Sequence, residues 1–234
     1  MKRGGVVYKS EFQLYHEGRP FTVVVRNYTE ADFDGLIQIQ RECFPPPFPE
    51  DLWWSKEQLN SHVHFFPEGA ICVEVDGEIA GSMTCLLVDF RPDDPPHTWE
   101  EITDNGFIRS HKPDGNTLYV VDISVKPASR KLGLGKLMMQ AMYQTVVHLN
   151  LDRLLGGGRM PGFSRYASQM NAEEYVQKVV SGELKDPVVT FLLNCGRLPV
   201  RLEENYLEDE ESLNWAALME WRNPFKNKNI QINS

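Results

Sequence analysis

Val121-Asp122-Ile123-Ser124-Val125-Lys126-Pro127-Ala128-Ser129-Arg130-Lys131-Leu132-Gly133-Leu134-Gly135-Lys136 is the stretch that decides the fold. It continues an apolar run, Leu118–Val125, rich in β-branched residues, which reads as a central strand buried on both faces. After Lys126-Pro127 comes a turn. From Leu134 to Asn150 the residues Leu134, Leu137, Met138, Ala141, Met142, Val146 and Leu149 then recur at helical spacing. Gly133 and Gly135 leave no Cβ over the first helical turn, so backbone N–H groups there can approach a ligand closely. Those amides have no intrahelical partner and lie at the positive end of the helix dipole, which favours a phosphate. Lys126, Arg130, Lys131 and Lys136 add local positive charge. Two familiar phosphate loops fail on spacing. A G-x-G-x-x-G loop needs glycine where Met138 stands. A G-x-x-x-x-G-K-[ST] loop needs Ser or Thr where Leu137 stands, and a glycine where Arg130 stands.

Working outward, two runs near residues 6–16 and 20–27 are β-rich and flank the turn His16-Glu17-Gly18-Arg19, which predicts a hairpin. Thr29 to Asp32 resembles a capping box ahead of a helix that ends before Pro45. Pro45-Pro46-Pro47-Phe48-Pro49 cannot be helical, and Ser55 opens a second helix to about His64. Ala70–Val75 and Ile79–Asp89 flank Asp76-Gly77, a second hairpin signal. Residues 90–116 are a long, proline-rich excursion with a short helix after Thr98, and such loops are often functional lids. Beyond the long helix come a strand from Arg153 into Gly156-Gly157-Gly158 and a helix at 172–181 capped by Asn171. A helix from Asp186-Pro187 to Asn194 follows, then two strands at Val200–Tyr206 and Leu213–Trp221. The order is mixed α/β with one buried βαβ unit in the middle.

The chain has 234 residues, 41% hydrophobic and 24% charged, the profile of one large soluble globular domain. No apolar run is long enough for a membrane span, and the basic start, Met1-Lys2-Arg3, leads into no signal-peptide core. Cys43, Cys72, Cys85 and Cys195 are far apart and without metal spacing, so no metal, reduced thiols and a cytoplasmic location are expected. His62 and His64 diverge on a helix and cannot form a metal pair, while His97 and His111 read as exposed loop histidines. The net charge of −9 argues against a nucleic-acid partner and speaks mainly of solubility.

Arg130-Lys131-Leu132-Gly133-Leu134-Gly135 meets the pattern [Q/R]-x-x-G-x-[G/A]. With the strand, the proline and the long helix around it, the segment resembles the acetyl-coenzyme A signature of the GCN5-related N-acetyltransferases. The resemblance extends from about Thr22 to Trp221. Cys43–Pro49, Gly156–Gly162, Glu173–Val176 and Glu220–Pro224 look like the acetyltransferase module fused to carbon–nitrogen hydrolases in some bacterial proteins, here without a following hydrolase. The resemblance implies a mostly antiparallel central sheet, splayed at the signature strand and flanked by helices. It implies one domain over residues 1–234, with extras at the N-terminal strand, at 90–116 and at 156–185.

It further implies direct transfer of an acetyl group from acetyl-CoA to a primary amine of a small molecule, peptide or protein. Longer acyl chains are a variant of this reading. A non-catalytic CoA-binding or interaction module, and a homodimer, remain open. Ile123 and Val125 would pair with the pantetheine arm as an added strand does. Arg130, Lys131, Leu132, Gly133, Leu134, Gly135 and Lys136 would hold the pyrophosphate, and Asn194 would bond the pantetheine. The base position, eleven residues before Arg130, is Tyr119. Asp122, a charge in an apolar strand, is the other candidate, with a structural hydrogen-bonding role as its alternative. The family's tyrosine acid, four residues before the glycine closing the last helix, is here Leu192, a departure from the pattern. Cys195 nearby reads as a buried structural thiol. The acceptor pocket would involve Phe44–Trp54, the excursion and Arg159–Arg165, with Phe48, Trp53 and Trp54 either lining it or anchoring the loop.

Overall fold

Two dipeptides in the left-handed region set the first half of the sheet. The computed structural model describes residues 8–45, 50 and 53–226. In it, Glu17 and Gly18 take φ of 48° and 84° and join β1 (Lys9–His16) to β2 (Arg19–Asn27). Asp76 and Gly77, at 51° and 88°, do the same for β3 (Ala70–Val75) and β4 (Glu78–Val88). Positive φ at both turn positions matches the right-handed twist of the flanking strands. The sequence places the first strand's start near residue 6, and residues 6 and 7 lie outside the described residues.

Between the hairpins run α1 (Phe33–Cys43) and α2 (Lys56–Phe65). The Thr29 N–H donates to Asp32 Oδ2 at 2.8 Å, and Arg26 holds the same carboxylate through two nitrogens at 2.8 Å each. That pairing ties the start of α1 to β2 and keeps Asp32 below the usual carboxylate range. Ser55 and Gln58 form a reciprocal cap at the start of α2.

The excursion contains α3 (Trp99–Thr103), capped by Thr98 and Glu101. Then follow β5 (Thr117–Val125), α4 (Leu134–His148), β6 (Arg153–Arg159), α5 (Ala172–Ser181), α6 (Val189–Asn194), β7 (Leu198–Glu203) and β8 (Ala216–Arg222). The eight strands of the described residues form one sheet in the order β1-β2-β3-β4-β5-β6-β8-β7. Only the β5–β6 ladder is parallel, and it holds for Thr117–Arg153, Leu118–Leu154 and Tyr119–Leu155 before the strands part. Consecutive residues of β5 show the two layers. Ile123 reaches toward Gly135 of α4, and Ser124 takes a hydrogen bond from Gln40 of α1 at 3.2 Å. The helices therefore cover opposite faces.

The last two strands start and end elsewhere than the sequence suggests. Leu213 and Asn214 take φ of 51° and 62°, so the turn extends to residue 215 and β8 begins at Ala216. β7 ends at Glu203, where Asn205 at φ 55° turns the chain, and the Tyr206 ring then lies over Gly157. Gly156, Gly157 and Gly158 are themselves strand residues, each needed where a side chain crosses closely: Val120, Tyr206 and Leu192 respectively. Replacing Gly157 with Ala would drive a methyl into the Tyr206 ring, an overpacking that costs about 1–3 kcal/mol. A melting scan of Gly157→Ala is expected to show a drop of several degrees, on the order of 2–4 °C per kcal/mol in a chain of this size.

Candidate active site

The turn between β5 and α4 leaves five successive backbone N–H groups, Lys131 to Gly135, without an acceptor among the described residues. The next two, of Lys136 and Leu137, donate to Gly133 O at 3.0 and 3.1 Å and start the helix. Two residues of the turn lie at positive φ, Gly133 at 77° and Lys131 at 78°. For lysine that conformation is strained, and such strain clusters at binding sites. A Cβ on Gly133 would meet nothing within 4 Å, so its face is open, while one on Gly135 would sit 3.0 Å from Phe191 of α6. Arg130, Lys131 and Lys136 are exposed and make no ion pair among the described residues. The residues thus fit a pyrophosphate, with free amides, close backbone approach and unpaired cations in one turn.

Ile123 and Val125 line the parting of β5 and β6. The Val125 carbonyl already accepts from Cys43 Sγ at 3.2 Å and from Arg130 Nε at 3.4 Å, so strand addition there competes with two donors. Leu134 is buried and can offer only its backbone, and Asn194 is exposed at the end of α6. Leu192, in the place of the expected tyrosine, is buried against Gly158. Cys195 is buried, its thiol pushed up by desolvation.

The opposite face of β5 carries the two candidate bases, and a bulge puts them together. Thr84 pairs with Asp122 and Cys85 with Val120, so the ladder passes over Val121. Without that extra residue, Tyr119 and Asp122 would face opposite sides of the sheet. Instead Asp122 accepts from Gln40 Nε2 at 3.1 Å and from Ser124 Oγ at 3.0 Å, and burial pushes its carboxyl up to about 6. A hydrogen-bonded chain lies alongside. Gly106 O can only accept, so His62 Nε2, 2.6 Å away, carries the proton. His62 Nδ1 then accepts from Tyr28 Oη at 2.9 Å, and Tyr28 accepts from Thr84 Oγ1 at 3.0 Å. Burial lowers His62 to about 4, which keeps it neutral as this chain requires.

Tyr119 is fully buried, its hydroxyl 2.9 Å from both His97 Nε2 and Tyr206 Oη, and burial raises it well above a free tyrosine. His97 is therefore no exposed loop histidine. Nor is His111, which accepts from the Leu87 N–H at 3.1 Å and stacks on Phe66. Burial lowers both to about 4. The excursion is a wall sewn to the sheet rather than a free lid. Trp99 donates through Nε1 to Val121 O at 3.0 Å and through its backbone N–H to Tyr206 O at 2.7 Å, and Asn116 bonds both polar groups of Phe90's backbone.

A cavity of about 480 Å³ opens between α1, α2 and this wall, lined by Ile37, Arg41, Glu50, Trp53, Trp54 and Phe107. Trp54 both lines it and packs in the core, 4% exposed beside His62 and Trp99. Trp53 donates to Phe44 O at 2.9 Å. Phe48 lies outside the described residues. Arg159, expected near the acceptor, instead pairs with Asp209 and does not line the cavity. Gln40, Ser124, Tyr28, Thr84 and Tyr206 carried no signal in the sequence, because their partners are distant in the chain. Among the described residues no group of three His, Cys, Asp or Glu side chains is placed to hold a metal ion, and the four cysteines are free.

The acetyltransferase (GNAT) family model matches residues 33–158, which span the first helix, the bulged strand, the turn and α4. The chain belongs to the acetyltransferase (GNAT) family. Two proteins of Bacillus subtilis (strain 168) are similar to it. An uncharacterized N-acetyltransferase, YkwB, is 56% identical over 218 residues, covering 92% of this chain and 96% of that protein. A probable hydrolase, YhcX, is 41% identical over 202 residues; the match takes in 86% of this chain but 39% of YhcX. The likeness to a stretch of a larger hydrolase accords with the resemblance read from Cys43–Pro49 and Gly156–Gly162. Among solved structures, the GphF GNAT-like decarboxylase in complex with isobutyryl-CoA superposes with a TM-score of 0.70. It shares 21% identity and covers 85% of this chain and 98% of that one. At that identity the likeness shows the GNAT fold, and it shows that fold holding an acyl-CoA in GphF.

Asp122 gives this GNAT site a measurable pH signature. Burial raises it to about 6 in the folded chain, above the ordinary aspartate value of 3.8. Between those values the folded state keeps a proton that the unfolded chain loses, so stability falls as pH rises through that window. Above about pH 6 the full cost is present, on the order of 2–3 kcal/mol. Asp122→Asn is expected to melt several degrees above wild type at pH 7.5, with the gap closing near pH 4. A wild type that melts higher at pH 7.5 would show the charge to be stabilising instead.

Proposed function

We propose that this GNAT protein uses acetyl-CoA to acetylate a primary amine of a small molecule or of a peptide or protein. The observation that carries the reading is the run of free amides from Lys131 to Gly135 at the head of α4, beside exposed cations that make no ion pair among the described residues. Acetyl-CoA, bound with its pyrophosphate on that turn and its pantetheine between β5 and β6, would supply the activated acetyl group. The chain's own residues would do the rest. Asp122 is the better of the two bases, because burial poises it near 6 and it is ionised at neutral pH. Gln40 and Ser124 hold its carboxylate in place. Tyr119, enclosed between His97 and Tyr206, would position the wall rather than take a proton. Trp53, Trp54 and Phe107 would receive the apolar part of the acceptor. The whole chain would act as one acetyltransferase domain, in the cytoplasm, with the wall at 90–116 setting acceptor preference. Neither a nucleic acid nor a membrane is a partner in this reading.

Calorimetric titration should give one acetyl-CoA site per chain, weakening as salt rises because exposed cations contribute. Gly135→Asp, which adds a side chain 3.0 Å from Phe191 and a charge beside the pyrophosphate site, should weaken binding at least about a hundredfold, roughly 2.7 kcal/mol. With an amine panel, release of free CoA thiol should fall as pH drops through about 6, and Asp122→Asn should lose most of it at pH 7.5. Binding without thiol release from any amine would leave a CoA-binding module, a reading that Leu192 in place of the tyrosine acid favours. Absence of binding would remove both.

A further inference from the structure

Arg197 is a fully buried cation that meets no anion among the described residues. It follows Gly196, which closes α6 at φ 81°, and it is 2% exposed. Its Nε and Nη2 donate to Met219 O at 3.2 and 2.6 Å, and Nη2 donates again to Gly156 O at 3.1 Å. Among the described residues it makes no ion pair. The groups whose fields raise its proton affinity are Tyr143, Cys85, Cys195 and Tyr119. Burial raises all four, so none is an anion at neutral pH. A charge taken out of water is costly unless an opposite charge meets it.

The place is specific. Tyr119–Leu155 is the last β5–β6 pair, and Gly156 is the first residue beyond it. A methyl on Gly156 would lie 2.9 Å from Val120 Cβ and 3.2 Å from Arg197 Nη2. The guanidinium therefore sits at the head of the opening between the strands. It lies two residues along β6 from Gly158, where Leu192 stands in the position of the expected tyrosine acid.

We propose that Arg197 is the electrostatic partner of the leaving thiolate, in place of a proton-donating tyrosine. The proposal rests on the acetyl-CoA reading above. In the step, an ammonium acceptor first gives its proton to Asp122. The amine lone pair then forms a bond to the thioester carbonyl carbon, the C–S bond breaks, and its electron pair goes to sulfur. The nitrogen, cationic after the attack, gives its second proton to water as the amide forms, and Asp122 returns the first to solvent. The resulting thiolate is held beside the guanidinium and takes a proton from solvent on release.

The test reads the coenzyme's own thiol. CoA is titrated with pH while bound to the wild-type chain, and thiolate is followed by ultraviolet absorbance, with the desulfo-CoA complex subtracted. The bound thiol is expected to ionise at least about one pH unit below free CoA in the same buffer, a tenfold gain in thiolate. In Arg197→Met, the thiol should return to the free value while CoA still binds. A bound wild-type thiol that ionises at or above the free value overturns the proposal, with or without a folded variant. So does a folded Arg197→Met that keeps the lowered value. CoA binding with an unshifted thiol removes only the role of Arg197, whereas no CoA binding removes the acetyl-CoA reading and this role with it.

Discussion

The parting of β5 from β6 is the constraint on which the site depends. The two strands pair over three positions, Thr117 to Tyr119 against Arg153 to Leu155, and then separate. Parallel pairing requires a crossover, here α4, and the crossover brings the free amides of residues 131–135 to the carboxyl end of β5. Beyond the last pair, the three glycines of β6 let Val120, Tyr206 and Leu192 approach from neighbouring layers. The separation thus forms a slot with the free amides at one end and a buried cation, Arg197, at the other.

A single extra residue organises the other face. By passing over Val121, the β4–β5 ladder turns Tyr119 and Asp122 toward the same side. There the two side chains differ in character. Asp122 is held by two donors and poised near neutrality, close to the chain from Gly106 through His62 and Tyr28 to Thr84. Tyr119 is sealed with His97 and Tyr206, and near them Glu203 pairs with Arg201. The first arrangement can exchange a proton with a ligand on the face of α1. The second holds residues 97–99 against the sheet and so shapes the cavity that Trp53 and Trp54 line.

Much of the fold was legible because it rests on local chemistry. Glu17-Gly18 and Asp76-Gly77 must turn, Thr29, Ser55, Thr98 and Asn171 must cap, and the spacing of Leu134 to Val146 must be helical. The run of free amides at residues 131–135 was legible for the same reason, since a glycine-flanked helix start offers its amides wherever it occurs. β8 begins three residues later than expected because Leu213, a residue type that rarely takes positive φ, does so together with Asn214, and β7 ends at Glu203 because Asn205 turns the chain at φ 55°. The histidines of the excursion were misread because a sequence does not say that residues 97 and 111 bond residues 119 and 87.

By itself, then, the sequence determined the element order, the family and the glycine-flanked turn at the head of α4, all properties of residues near one another in the chain. Tertiary structure alone decided which polar groups meet. Gln40 meets Asp122 across 82 positions, and Arg197 meets Gly156 across 41. Whether a carboxylate is poised near 6 or a guanidinium is left without a counter-charge depends on burial and on partners that only folding brings into contact.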